Sequence, residues 1–84
     1  MATVKMTEMA FRDFGNLPSA IQARVTEIVA RLGKWPEVSG AKPLTGPLAG
    51  RFRIRTGAYR VQFYVKDEMV VIEKMGHRDG FYEE

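Results

Sequence analysis

From residue 50 onward the chain alternates. In "GRFRIRT" Phe52 and Ile54 fall between Arg51, Arg53 and Arg55. In "YRVQFYVK" the residues Tyr59, Val61, Phe63 and Val65 interleave with Arg60, Gln62, Tyr64 and Lys66. Successive side chains of a β-strand point to opposite faces of its sheet, so each run specifies a strand with one apolar and one polar face. The dipeptide "GA" makes the turn between them, Asp67-Glu68 turns the chain again, and "MVVIEKMG" is a third strand in succession. Strands joined by two-residue turns run antiparallel. Such a meander needs a cover for its apolar face.

The cover lies upstream. In "PSAIQARVTEIVARL" the residues Ile21, Val25, Ile28, Val29 and Leu32 repeat at helical spacing and form one apolar stripe, while Gln22, Arg24, Glu27 and Arg31 occupy the other faces. Pro18 suits the first turn of this helix and Gly33 its end. Before it, "TVKM" is a short β-prone segment, and Thr7 can cap a helix through "EMAFRDF" that Gly15-Asn16 terminates. Residues 37–49, with two glycines and two prolines, form a surface connection. Trp35, next to Pro36, is expected to close over the core. The expected fold is a single small α+β domain spanning residues 1–84, in the order β-α-α-β-β-β. Its two N-terminal helices pack on one face of a twisted antiparallel sheet, with Phe52, Ile54, Val61 and Phe63 beneath the helical stripe. A chain of 84 residues supports one core and not two.

The polar face is unusual in its charge. Residues 50–66 hold five basic side chains and no acidic one, although the net charge of the whole chain is only +3. Both signs are normally mixed on a surface made for solubility, so a segregated basic strip points to an anionic ligand. Guanidinium groups bind phosphate through paired donors and stay charged at every accessible pH, and nearby aromatic rings can stack on unpaired bases. These features together fit an RNA-phosphate surface, and from the residues alone a merely solvated strand face with arginine chosen for its long stem fits equally well. The absence of cysteine excludes disulfides and thiolate chemistry. No carboxylate cluster has metal-ligand spacing, and neither a metal nor a cofactor is expected. No apolar run reaches the length of a signal peptide or a membrane span, so the expected location is the cytoplasm, without membrane association.

The segments "KPLTGPLAGRFRIRTGAYRVQFYV" and "VIEKMGHRDGFY", with the earlier "LPSAIQARVTEIVARL", resemble the RelE/ParE superfamily, the toxic halves of bacterial toxin–antitoxin pairs. The pattern is most similar to the RelE branch. That resemblance implies a ribosome-dependent, metal-independent endoribonuclease, an mRNA interferase that inhibits translation by cutting mRNA in the A site. The 2′-hydroxyl attacks the adjacent phosphate and the 5′-oxygen leaves. It further implies three partners: a cognate antitoxin, the ribosome and mRNA. Carried over by position, Arg53 and Arg55 match a basic strand pair that is often lysine. Arg60 matches the arginine after the hairpin, Arg78 the arginine after the last strand, and Tyr82 the C-terminal tyrosine. Arg51, Lys42 and Lys74 are the expected additional RNA contacts. Arginine at the lysine positions cannot surrender a proton. His77, the only histidine, is therefore the expected general base or acid. Two rivals remain open: a ParE-like toxin that inhibits DNA gyrase without nuclease chemistry, and a catalytically silent RNA-binding module using the same face.

Overall fold

The computed structural model of the protein describes residues 2–81. Strand β1 (Thr3–Met6) leads into helix α1 (Glu8–Gly15), whose N-cap is Thr7. The Thr7 side-chain oxygen accepts the backbone N–H of Ala10 at 3.1 Å, satisfying one of the amide donors that a helix start leaves open. Helix α2 (Ser19–Leu32) follows, one residue shorter at its start than the sequence pattern implies, because Pro18 is the N-cap. Its stripe is buried as expected: Val25, Ile28 and Leu32 are enclosed, and Ile21 and Val29 pack at the margin.

Four further strands complete the sheet: β2 (Lys42–Pro43), β3 (Arg51–Thr56), β4 (Tyr59–Lys66) and β5 (Met69–His77). The spatial order is β1-β5-β4-β3-β2. The three-strand meander is antiparallel, as its turns require. Gly57 opens the β3–β4 turn at φ 60°, and Asp67 opens the β4–β5 turn at φ 58°, the left-handed conformation that glycine and aspartate tolerate best.

Two parts of the sheet differ from the expected all-antiparallel meander. β1 joins β5 in parallel, with Thr3 opposite Met69 and Met6 opposite Ile72. A β-prone tetrapeptide carries no mark of its partner's direction, and here the helices act as the long crossover that a parallel neighbour needs. The connection 37–49 also contributes to the sheet: Lys42 and Pro43 pair with Arg53 and Phe52.

One core fills the space between helices and sheet. Ala10 of α1, Leu17, and Val25, Ile28 and Leu32 of α2 meet Ile54, Val61, Phe63, Val70, Ile72 and Met75 of the strands. Trp35 does close it, lying edge-on to Phe52 and Phe63 with ring centroids 4.9 and 5.4 Å away. Helix α1 is fixed to β5 beyond the end of β1. There the Asp13 carboxylate accepts the Met75 N–H at 3.0 Å, and the Thr7 hydroxyl donates to the Glu73 carbonyl at 3.0 Å. A single turn, α3 (Arg78–Phe81), follows β5 and buries Phe81. Among the described residues no helix is long and apolar enough to cross a membrane.

Candidate nucleic-acid interface

The face of the sheet away from the helices is ordered by strand register. Lys42, Arg53, Gln62 and Lys74 line up across four strands, each directly opposite the next. One step toward the β3–β4 turn, Arg55 stands opposite Arg60, and Arg60 opposite Gly76. Arg55 is exposed, whereas Arg53 and Arg60 are half-buried, with Arg53 Nε and one terminal nitrogen of Arg60 enclosed. Arg53, Arg55 and Arg60 thus come together as the alternation requires. Arg53 Nε and Gln62 Oε1, on facing residues, are buried and make no hydrogen bond to a described residue.

The chain then returns over this face. The Arg78 N–H donates to the Ala58 carbonyl at 2.8 Å, tethering the start of α3 to the hairpin turn beside the Arg55–Arg60 pair. The Arg78 side chain is exposed and meets Asp79 at 3.6 Å. Phe81 packs over Gly76, where an added Cβ would already lie 3.7 Å from its ring. Lys74 donates to the Phe81 carbonyl and sits 4.4 Å from the ring centroid, so the residue expected to hold RNA also holds the α3 turn in place. Tyr82 lies outside the described residues.

At the far end of the face sits a residue that sequence reasoning did not assign. Pairing slips at Gln62/Phe63, so that Gln62 faces Lys74 while Phe63 faces Ile72, and Glu73 is the extra residue of a β-bulge. Its Oε1 accepts from Arg51 Nε at 2.6 Å and from Gln62 Nε2 at 3.0 Å. Arg51, expected to contact RNA, is therefore already in a charge-assisted bond. A signal for the bulge exists in the sequence: inward residues Val70, Ile72 and Met75 are spaced by two and then by three.

His77 is not brought to the arginines. It pairs with Tyr59, on the side of the sheet where Val61 and Met75 enter the core, and its ring lies edge-on to Tyr59 at 5.2 Å. Its Nδ1 accepts the Asp79 N–H at 3.1 Å. A neutral imidazole has one acceptor nitrogen, and this one is in use. The expected general base therefore faces away from Arg60, because one residue along a strand reverses the face.

A small sheet covered by two helices on one side and lined with arginines on the other, with a short tail folded back on the arginine side, defines a RelE-type toxin fold. The toxin RelG of Mycobacterium tuberculosis is 41% identical over 83 residues, which span 95% of this chain and 94% of the relative. A chain in the crystal structure of the M. tuberculosis toxin–antitoxin complex RelBE2 superposes with a TM-score of 0.79 at 40% identity, covering 92% of this chain and 91% of that one. The isolated Escherichia coli RelE toxin shares the fold, with a TM-score of 0.76 at 18% identity over 92% of this chain and 84% of that one. No protein-family model matches the chain. The chain belongs to the RelE/ParE superfamily, as a toxin of the RelE family from a toxin–antitoxin system.

Proposed function

We propose that the protein is a ribosome-dependent endoribonuclease that cuts mRNA in the A site without a metal, and that a cognate antitoxin restrains it. The observation that carries this reading is the arginine cluster at the hairpin end. Arg55 and Arg60 face each other across two strands, and Arg78 is anchored to the turn that joins them. Like charges opposed on a sheet are unfavourable, and so is a buried guanidinium edge left without a partner at Arg53. A phosphodiester seated between Arg55 and Arg60 offsets the first of these.

In the proposed reaction the ribose 2′-hydroxyl gives its proton to solvent water as its oxygen bonds to phosphorus, and the bond to the 5′-oxygen breaks as that oxygen takes a proton from water, giving a 2′,3′-cyclic phosphate and a 5′-hydroxyl end. Negative charge grows on the phosphoryl oxygens, and in this reading Arg55, Arg60 and Arg78 meet it. Arg53 and Lys42 extend the hold to a neighbouring phosphate. His77 acts through Tyr59 and the Asp79 turn to position Arg78, and takes no proton itself. A few cations hold free RNA weakly, so positioning by the ribosome is part of the proposal. The antitoxin reading is supported by the RelBE2 complex, whose structure pairs a 40% identical chain with its antitoxin. The gyrase-binding alternative is the less favoured one, since the 41% identical relative is a RelG toxin.

The test is to add the protein to ribosomes carrying a defined mRNA and map the new ends, with Arg60→Ala and Arg78→Ala alongside. Cuts confined to the A-site codon and lost in both variants are the expected result. Intact mRNA at high protein concentration overturns the proposal.

A further inference from the structure

The arginine face carries a second feature, at the opposite end from Arg60 and Arg78. A pocket of about 500 Å³ opens there, lined among others by Thr7, Gly50, Arg51, Tyr64, Lys66 and Glu73. Arg51 and Tyr64 are cross-strand partners, four residues along β3 from the Arg55–Arg60 pair, a separation of roughly 13 Å. The half-buried Tyr64 ring offers a stacking surface, and Lys66 sits at the rim. Glu73 gives the pocket its chemical character. Among the described residues both of its hydrogen bonds fall on Oε1, and Oε2 accepts none. Its side chain keeps 18% of its surface exposed, within the pocket.

A carboxylate at the back of a basic, aromatic pocket makes little sense for phosphate alone, which it repels. It suits a ligand with an anionic backbone and a donor-bearing ring. We propose that this pocket is a nucleobase subsite, selecting a base with an exocyclic amino group for a nucleotide neighbouring the one that is cut. This rests on the reading of the face as an RNA surface. The base stacks on Tyr64 while its amino group donates to Glu73 Oε2, as carboxylates accept from cytosine N4 elsewhere. Arg51 and Gln62 hold the carboxylate through Oε1, so its free oxygen is aimed before the base arrives. Uracil carries a carbonyl oxygen where cytosine carries its amino group and would turn it toward the same carboxylate, so a site built to accept a hydrogen bond at that position discriminates against it.

Binding of uncleavable 2′-fluoro oligonucleotides tests this without requiring nuclease activity. Fluorescence anisotropy at low salt compares hexamers of cytidine and of uridine. For the unaltered protein the cytidine hexamer is expected to bind about tenfold more tightly. Glu73→Gln keeps an acceptor for Arg51 and Gln62 but replaces the open oxygen with an amino group, and it should reverse the preference toward uridine. Tyr64→Leu should weaken both hexamers by about tenfold and leave their ratio unchanged. Equal binding of the two hexamers, binding of neither, or a ratio unmoved by Glu73→Gln would overturn the subsite. Failure of cleavage on ribosomes would remove the nuclease reading and leave this preference standing. The two ideas therefore fail separately.

Discussion

Arg55 and Arg60 illustrate the conflict between stability and use at single residues. Opposed like charges destabilise a strand pair, and opposite charges stabilise one by roughly 0.2–1 kcal/mol. Arg55→Glu should accordingly stabilise the fold by about 0.5 kcal/mol, measured by urea denaturation followed through Trp35 fluorescence. The same change should lower the cleavage rate by about a hundredfold, the scale of losing one charge-stabilising donor. A variant at once less stable and inactive would show that the pair is structural. His77 makes the converse case. With Nδ1 engaged at the Asp79 turn and the ring edge-on to Tyr59, it stands on the side of the sheet away from Arg60. His77→Ala should slow single-turnover cleavage by less than about tenfold, where loss of a true general base costs roughly 10²–10⁴.

Between elements, the joint that matters most for the site is the one from α1 to β5. β1 covers β5 only as far as Ile72, and beyond that point the strand's outer edge is satisfied by Thr7 and Asp13. This same stretch of β5 leads into Gly76 and Arg78. Asp13→Ala leaves the Met75 N–H without its acceptor and should cost about 1–2 kcal/mol, the price of a partly buried donor left unpaired. Asp13→Asn, which retains an acceptor oxygen, should cost less. Hydrogen exchange at the Met75 amide measures the joint directly, and protection unchanged in Asp13→Ala would mean that water or a neighbour replaces the bond. None of this joint was legible from local pattern. Periodicity revealed α2, the meander and the Thr7 cap, because those depend on residues close in sequence. It could not disclose that β1 runs parallel to β5, that Lys42–Pro43 forms a strand, or that Asp13 reaches Met75, since each depends on distant pairing. The site divided along the same line. Arg53, Arg55 and Arg60 share a face by alternation alone, whereas placing His77 required the register that sets it opposite Tyr59. Glu73 was hidden by the bulge, which breaks the alternation used to find the strand.

Across the whole molecule, folding sorts apolar and basic residues onto opposite sides of one sheet, and that sorting has a measurable electrostatic consequence. The basic side does not carry its full formal charge toward a ligand. Glu73 offsets Arg51 and Asp79 offsets part of Arg78, so the face presents fewer effective cations than a count of its arginines and lysines implies. Contact with about four phosphates is the physical expectation. Each phosphate neutralised on a single strand contributes about −0.7 to the slope of log affinity against log salt. The slope for 2′-fluoro RNA should then be about −3, and affinity should fall by roughly fiftyfold between 50 and 200 mM salt. Glu73→Gln unmasks Arg51 and should steepen the slope by about one phosphate's worth, while Arg55→Glu should flatten it. A slope near zero would mean that the strip is a solvated surface. A slope of about −3 that neither substitution moves would place the RNA elsewhere on the protein. Weak binding at physiological salt follows from the same numbers, and under the proposed function it is the reason for the ribosome to present the substrate.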